Sequence, residues 1–262
     1  MDLQNLIGQV AELAKQAGAF IRGESEKFST QHIEYKGLNN LVSYVDKSAE
    51  EMIVTALAEL LPQAGFITEE ETINVAGDEY NWIVDPLDGT TNFIHGLPTY
   101  SVSIALQHRE ELVLGVVYEI NRDECFYAWK EGGAWLNGKR IAVSANEKLS
   151  QSLLATGFPY YDFEKLEKYL QVFRELTQVT HGLRRVGSAA VDLAYVACGR
   201  YEGFFEYNLN SYDMAAGIVL VNEAGGKTVN FKGEKEFFKS REIVATNAEI
   251  APKLLEVIQR YF

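Results

Sequence analysis

The chain has 262 residues, 47% of them hydrophobic, and a formal net charge of −13 at pH 7. That length allows one large domain or two small ones, and the apolar fraction supports a sizeable core. The acidic balance argues against a surface for direct binding of nucleic acid or of an anionic membrane.

The amino terminus, Met1-Asp2-Leu3-Gln4-Asn5, has no basic region and no long apolar core, and no apolar run reaches membrane-spanning length. A cytoplasmic protein is expected. Cys125 and Cys198 form no CxxC pair and read as buried thiols in a reducing compartment. The four histidines show no zinc-ligand spacing.

From Leu3 to Ile21, residues Leu3, Leu6, Ile7, Val10, Leu13, Ala14, Ala17 and Phe20 share one helical face, and Gly23 is a natural stop. A second helix starts at a cap, Ser43 or Asp46, carries Met52, Leu57 and Leu60, and ends at Pro62. Trp82-Ile83-Val84 reads as a buried strand that Pro86 should stop, with Asp85 and Asp88 just past its carboxyl end. Open α/β sheets place ligands at such ends. Gly89, Thr90 and Thr91 then open a short helix whose amides can face an anion.

Next come strand-like runs at Ser101 to Gln107, Leu112 to Glu119, Cys125 to Trp129 and Ala134 to Leu136. Asn137-Gly138 signals a hairpin, so an antiparallel meander closes the first half. The second half alternates: strand 153–156, helix 164–177, helix 188–197 ended by Gly199, strand 203–205, helix 213–223 ended by Gly225-Gly226, strand 243–246 and helix 251–261. This is an α/β pattern after an α+β first half. The polar stretch Ser144 to Ser150 divides the chain into a first half, 1–145, and a second, 146–262.

Taken alone, Asp85-Pro86-Leu87-Asp88-Gly89 reads as a polar turn more often than as a catalytic motif. Two further segments change its weight: Phe66-Ile67-Thr68-Glu69-Glu70-Glu71, an apolar run ending in acids, and Asn210-Ser211-Tyr212-Asp213-Met214-Ala215-Ala216-Gly217, where an acid opens an apolar helix. Asp213 reads as an N-cap or as a ligand, and Glu69 as one of a solvated run or as a ligand. Carboxylates for a hard cation next to amides for an anion suggest metal-assisted phosphoryl chemistry, and an acidic protein needs bound cations to attract a phosphate dianion.

With these segments in order, the chain resembles the inositol monophosphatase family, the lithium-sensitive, magnesium-dependent phosphatases related to fructose-1,6-bisphosphatases and 3′-nucleotidases. Trp82 to Asn92 matches the family's first signature and Tyr212 to Gly226 its second. The resemblance implies a layered α-β-α-β-α sandwich of the sugar-phosphatase type, with the site between the halves. It implies magnesium held by Glu69, Asp85, the Leu87 carbonyl, Asp88 and Asp213. It matches Asp46, Thr90 and Glu70 to the group that orients a nucleophilic water, and places Lys36 nearby. Phosphate is expected on the Gly89 and Thr90 amides. The alcohol is expected at Asp88, Ala189 and Glu206. A polyol needs acceptors, which suits a carboxylate there.

Tyr212 stands where the family usually has Trp, and Thr68 where a small residue precedes the acids. The expected function is magnesium-dependent hydrolysis of inositol-1-phosphate by a homodimer. The alternatives are fructose-1,6-bisphosphate, histidinol phosphate or a nucleotide 3′-phosphate as substrate, and a protein-binding role in transcription.

Overall fold

The computed structural model describes residues 1–27, 33–37, 40–73, 75–159 and 163–262, with backbone alone at 33–37 and 40–42. Helix α1 (Leu3–Ser25) is capped by Asp2, whose carboxylate accepts the Asn5 amide at 3.1 Å. It buries the predicted stripe from Leu6 to Ala17, with Leu3 half-buried and Ile21 rather than Phe20 buried at its end. It also runs through Gly23 to Ser25, because the residue after it, Glu26, keeps right-handed helical angles and Gly23 makes no left-handed stop. A hairpin, β1 (Ile33–Gly37) and β2 (Asn40–Ser43), leads into α2 (Tyr44–Leu60). Ser43 and Asp46 cap α2 together in a reciprocal capping box. Pro62 follows directly after the end of α2.

A seven-stranded sheet follows, in chain order: β3 (Gly65–Thr68), β4 (Tyr80–Asp88), β5 (Ser101–His108), β6 (Glu111–Glu119), β7 (Glu124–Trp129), β8 (Gly133–Leu136) and β9 (Lys139–Ile141). All neighbours are antiparallel except β3 with β4. Helix α3 (Thr90–Ile94) sits between β4 and β5. The β8–β9 turn is the predicted Asn137-Gly138 pair, both at positive φ.

The remaining elements are β10 (Leu153–Thr156), α4 (Leu166–Val179), β11 (Gly182–Arg184), α5 (Ala189–Ala197), β12 (Gly203–Tyr207), α6 (Ser211–Glu223), β13 (Lys227–Val229), α7 (Phe237–Ser240), β14 (Glu242–Thr246) and α8 (Ala251–Gln259). The five strands pair in the order β11-β10-β12-β14-β13.

Three apolar clusters stack these elements. The first joins α1 and α2 to one face of the seven-stranded sheet, for example Val10 and Leu57 to Trp82 and Val116. The second joins the other face, through Val117 and Phe126, to α5 and α6 and on to Phe204 and Ala245 of the second sheet. The third joins Phe205 and Val244 to Tyr169 of α4 and Leu254 of α8. The result is the expected α-β-α-β-α sandwich. Cys125 is buried and Cys198 half-buried, both as free thiols. Among the described residues no helix is long and apolar enough to cross a membrane.

Candidate functional site

Parallel pairing of β3 and β4 aligns Thr68 with Val84. One residue on, the Glu69 amide donates to the Val84 carbonyl at 3.2 Å, so Glu69, just past the end of β3, lies level with Asp85 of β4. On the other side, Asp85 opposes Ser103 and Asp88 opposes Ser101, which leaves one extra residue in β4. Pro86, with no amide to donate, falls in this bulge. The Asp85 Oδ1 accepts the Leu87 amide at 3.0 Å. The predicted stop at Pro86 is thus corrected: the bulge absorbs the proline and β4 continues to Asp88.

Gly89 turns the chain into α3 at φ +96°, a left-handed conformation that favours glycine. Thr90 opens α3, its Oγ1 at 3.0 Å from Asp46 Oδ1 and 3.0 Å from the Leu87 carbonyl. One hydroxyl proton serves one of these acceptors at a time. Asp46 is fully buried, and its Oδ2 accepts the Ser43 amide and hydroxyl at 2.9 and 2.6 Å. Burial pushes Asp46 above the usual carboxylate range, against the pull of these hydrogen bonds.

Asp88 Oδ2 accepts the Ser188 hydroxyl at 2.6 Å and the Ala190 amide at 2.7 Å. Both donors sit at the start of α5, where helix ends favour anions. Asp213 is the third residue of α6 rather than its cap. Asn210 is the cap, and Asp213 Oδ2 accepts the Asn210 amide at 2.6 Å. The hydrogen bond fixes one carboxylate oxygen, as it does at Asp85 and Asp88.

One oxygen from each of Asp85, Asp88 and Asp213 lies within 4.8 Å of the others. Burial, then the charge of Glu69, pushes Asp85 well above the usual range. Burial, then Asp213, does the same to Glu69, whose carboxyl stands beside that of Asp85 in the cavity wall. Burial and Asp88 push Asp213 up to about 7. Acids this crowded do not all ionise without a cation between them. An all-oxygen donor set at this spacing fits a hard dication such as magnesium.

The acids open onto a cavity of about 250 Å³, which Leu87, Gly89, Thr90, Ala189 and Glu206 also line. Glu206 is 6% exposed. A Cβ on Gly157 would fall 2.0 Å from its carboxylate carbon, so glycine there leaves the acid its room. Burial pushes Glu206 up to about 8; Arg185 opposes the shift, and Asp213 and Asp88 add to it.

Nine of the sequence-named residues thus meet at one cavity: Glu69, Asp85, Leu87, Asp88, Gly89, Thr90, Ala189, Glu206 and Asp213. Asp46 stands behind Thr90. Glu70 is not among the lining residues; its amide donates to Glu50 Oε2 at 2.8 Å, and its charge raises Glu69. Lys36 lies on β1, whose side chains are outside the described residues.

The sequence reading missed the supporting groups. Glu50 is fully buried and also accepts the Thr72 amide and hydroxyl, at 2.9 and 2.6 Å, fixing the loop after Glu69. Its signal is an acid one turn beyond Asp46 on the apolar face of α2. Asn92 Nδ2 donates to the Thr99 and Val186 carbonyls, both at 2.7 Å, tying α3 to the segment before α5. Asp192, Asn208 and Arg185 line the cavity and also went unnamed. Of the two departures, Tyr212 lines the cavity, while Thr68 is buried and donates to the Ile73 carbonyl at 3.1 Å.

Comparison with known proteins gives consistent results. The model of the inositol monophosphatase family matches residues 2–261. The chain is 42% identical to the Nus factor SuhB of Pseudomonas aeruginosa, covering 98% of this chain and 97% of that one. It is 40% identical to the inositol-1-monophosphatase of Rhizobium meliloti, covering 97% and 96%. The crystal structure of the extragenic suppressor protein suhB from Bartonella henselae superposes with a TM-score of 0.92 at 38% identity, covering 98% of this chain and 100% of that one. The chain belongs to the inositol monophosphatase family.

Proposed function

We propose that this member of the inositol monophosphatase family is a magnesium-dependent phosphomonoesterase acting on inositol-1-phosphate. One observation carries the reading: the convergence of Asp85, Asp88 and Asp213, with Glu69 beside them, in the wall of one cavity. The oxygens not engaged by hydrogen bonds, with the Leu87 carbonyl, would hold the cations. When bound, these supply Lewis acidity, neutralising charge on the phosphate and lowering the pKa of water.

The chain's own residues do the rest. Thr90, donating to Asp46, keeps a lone pair for the proton of an attacking water and so orients it. The Gly89 and Thr90 amides face the phosphate. Glu206, Asp88 and Ala189 take the hydroxyls of the leaving group. The family's lithium sensitivity, homodimer and cytoplasmic setting belong to the same proposal.

The test is phosphate release, with magnesium present, from inositol-1-phosphate, fructose-1,6-bisphosphate, histidinol phosphate and a nucleotide 3′-phosphate. The highest kcat/KM on inositol-1-phosphate supports the assignment, and a preference for any of the others reassigns the substrate.

A second reading is favoured by the relative named a Nus factor. It is a protein-binding role in transcription alongside catalysis. Retention of purified RNA polymerase on the immobilised chain would support it, and absence of retention would remove it.

A further inference from the structure

Asp192 is 1% exposed, and its Oδ1 has no hydrogen-bonding partner. Such an atom is destabilising unless something fills its need. It lies four residues after the α5 cap Ser188 and three after Ala189, on the helix face that lines the cavity. Asn208 lies two residues after Glu206, just past the end of β12, where its left-handed backbone (φ +67°) turns the chain beside the cavity. Its Nδ2 is likewise buried without a partner, and Asn208 lines the same cavity.

These two atoms are complementary: Asp192 Oδ1 accepts and Asn208 Nδ2 donates. A metal ion does not satisfy the Asn208 Nδ2, which donates and offers no lone pair. A second phosphate does not suit a site where Asp192 and Glu206 join the metal-site acids in the cavity wall and Arg185 is the single cation among the described lining residues. A hydroxyl both donates and accepts, and it replaces a water in kind.

We infer that Asp192 and Asn208 read hydroxyls of a polyol leaving group beyond those that Glu206 takes, and so select a polyhydroxylated ring over a simple alcohol. This inference rests on the phosphatase reading above. Nothing in it requires either side chain to touch phosphorus.

The experiment compares KM and kcat of the wild type, Asp192→Ala, Asp192→Asn and Asn208→Ala on inositol-1-phosphate, glycerol-2-phosphate and butyl phosphate. Asp192→Ala should raise KM for inositol-1-phosphate about tenfold or more relative to butyl phosphate. Glycerol-2-phosphate should fall between. Asp192→Asn keeps a carbonyl acceptor and should restore most of the difference, which a merely structural role would not produce. Asn208→Ala should show the same order of substrates.

Equal losses on all three esters, with the wild type active on each, would overturn the inference and leave the phosphatase reading standing. A wild type that releases phosphate from none would overturn both. A larger loss on an added amino-alcohol phosphate than on inositol-1-phosphate would replace the polyol with an ammonium group.

Discussion

The Thr90 hydroxyl meets Asp46 Oδ1 at 3.0 Å, joining α3 to the capping box of α2. Asp46 is held on its other oxygen by Ser43, so the acid cannot swing away from Thr90. Thr90→Val removes the hydroxyl and keeps the shape. It should lower kcat about a hundredfold, in the range of a lost proton acceptor, with KM changed much less. Thr90→Ser should keep most of the activity. Steady-state kinetics decide, and a Thr90→Val variant with wild-type kcat would remove the proposed dyad.

Asp85 gives a prediction on stability. Its folded-state pKa is raised, so its contribution to stability is present below the unfolded carboxylate range and is lost as pH rises through the folded value. Asp85→Asn should therefore melt higher than the wild type at about pH 8 without metal, and the gain should vanish near about pH 4. Added magnesium should reverse the order, stabilising the wild type more. Melting curves at both pH values with chelator check this. A metal-free variant less stable than the wild type at the higher pH would show that Asp85 is a structural turn residue.

Much of this site was legible in the sequence, because its chemistry sits in short local motifs. The Asp85-to-Thr91 stretch and the acid at Asp213 lie within a few residues of strand and helix ends. Those ends are marked by Gly89 and by the apolar run after Asp213. The apolar stripe of α1 and the Asn137-Gly138 turn were equally plain. What stayed hidden depends on partners distant in sequence. Pro86 reads as a stop until β5 supplies the register in which a bulge absorbs it. Asp213 is a local exception: Asn210, three residues earlier and an equally good cap, takes that place. The strands β11 and β13 are three residues each, too short for an alternation to show. Asp192 sits in an otherwise apolar helix, and only the packing of α5 beside the cavity reveals it.

Glu206 should read the alcohol. Glu206→Ala should cost about 1–3 kcal/mol more in kcat/KM on inositol-1-phosphate than on glycerol-2-phosphate, the scale of leaving a buried hydrogen-bonding group without its partner. Magnesium affinity should be little changed. Equal losses on the two esters would take Glu206 out of substrate recognition.

Gly157 should matter through Glu206 alone. An added methyl would meet the Glu206 carboxylate and force it to move. Gly157→Ala should destabilise the fold by about 1–3 kcal/mol, as overpacking does, and raise KM for inositol-1-phosphate. The double variant Gly157→Ala with Glu206→Ala should recover the stability. If the melting temperature of the double variant is lower still, the two residues do not act through this contact.

The most direct measurement is phosphate release from inositol-1-phosphate in chelator, followed by magnesium titrated back, for the wild type beside Asp85→Asn. No release in chelator is expected, with full recovery of the wild type on magnesium. The variant at the same magnesium should stay about a hundredfold lower, since metal charge stabilisation is worth several kcal/mol. Full activity in chelator, or full recovery of Asp85→Asn, would contradict a cation site built on these carboxylates.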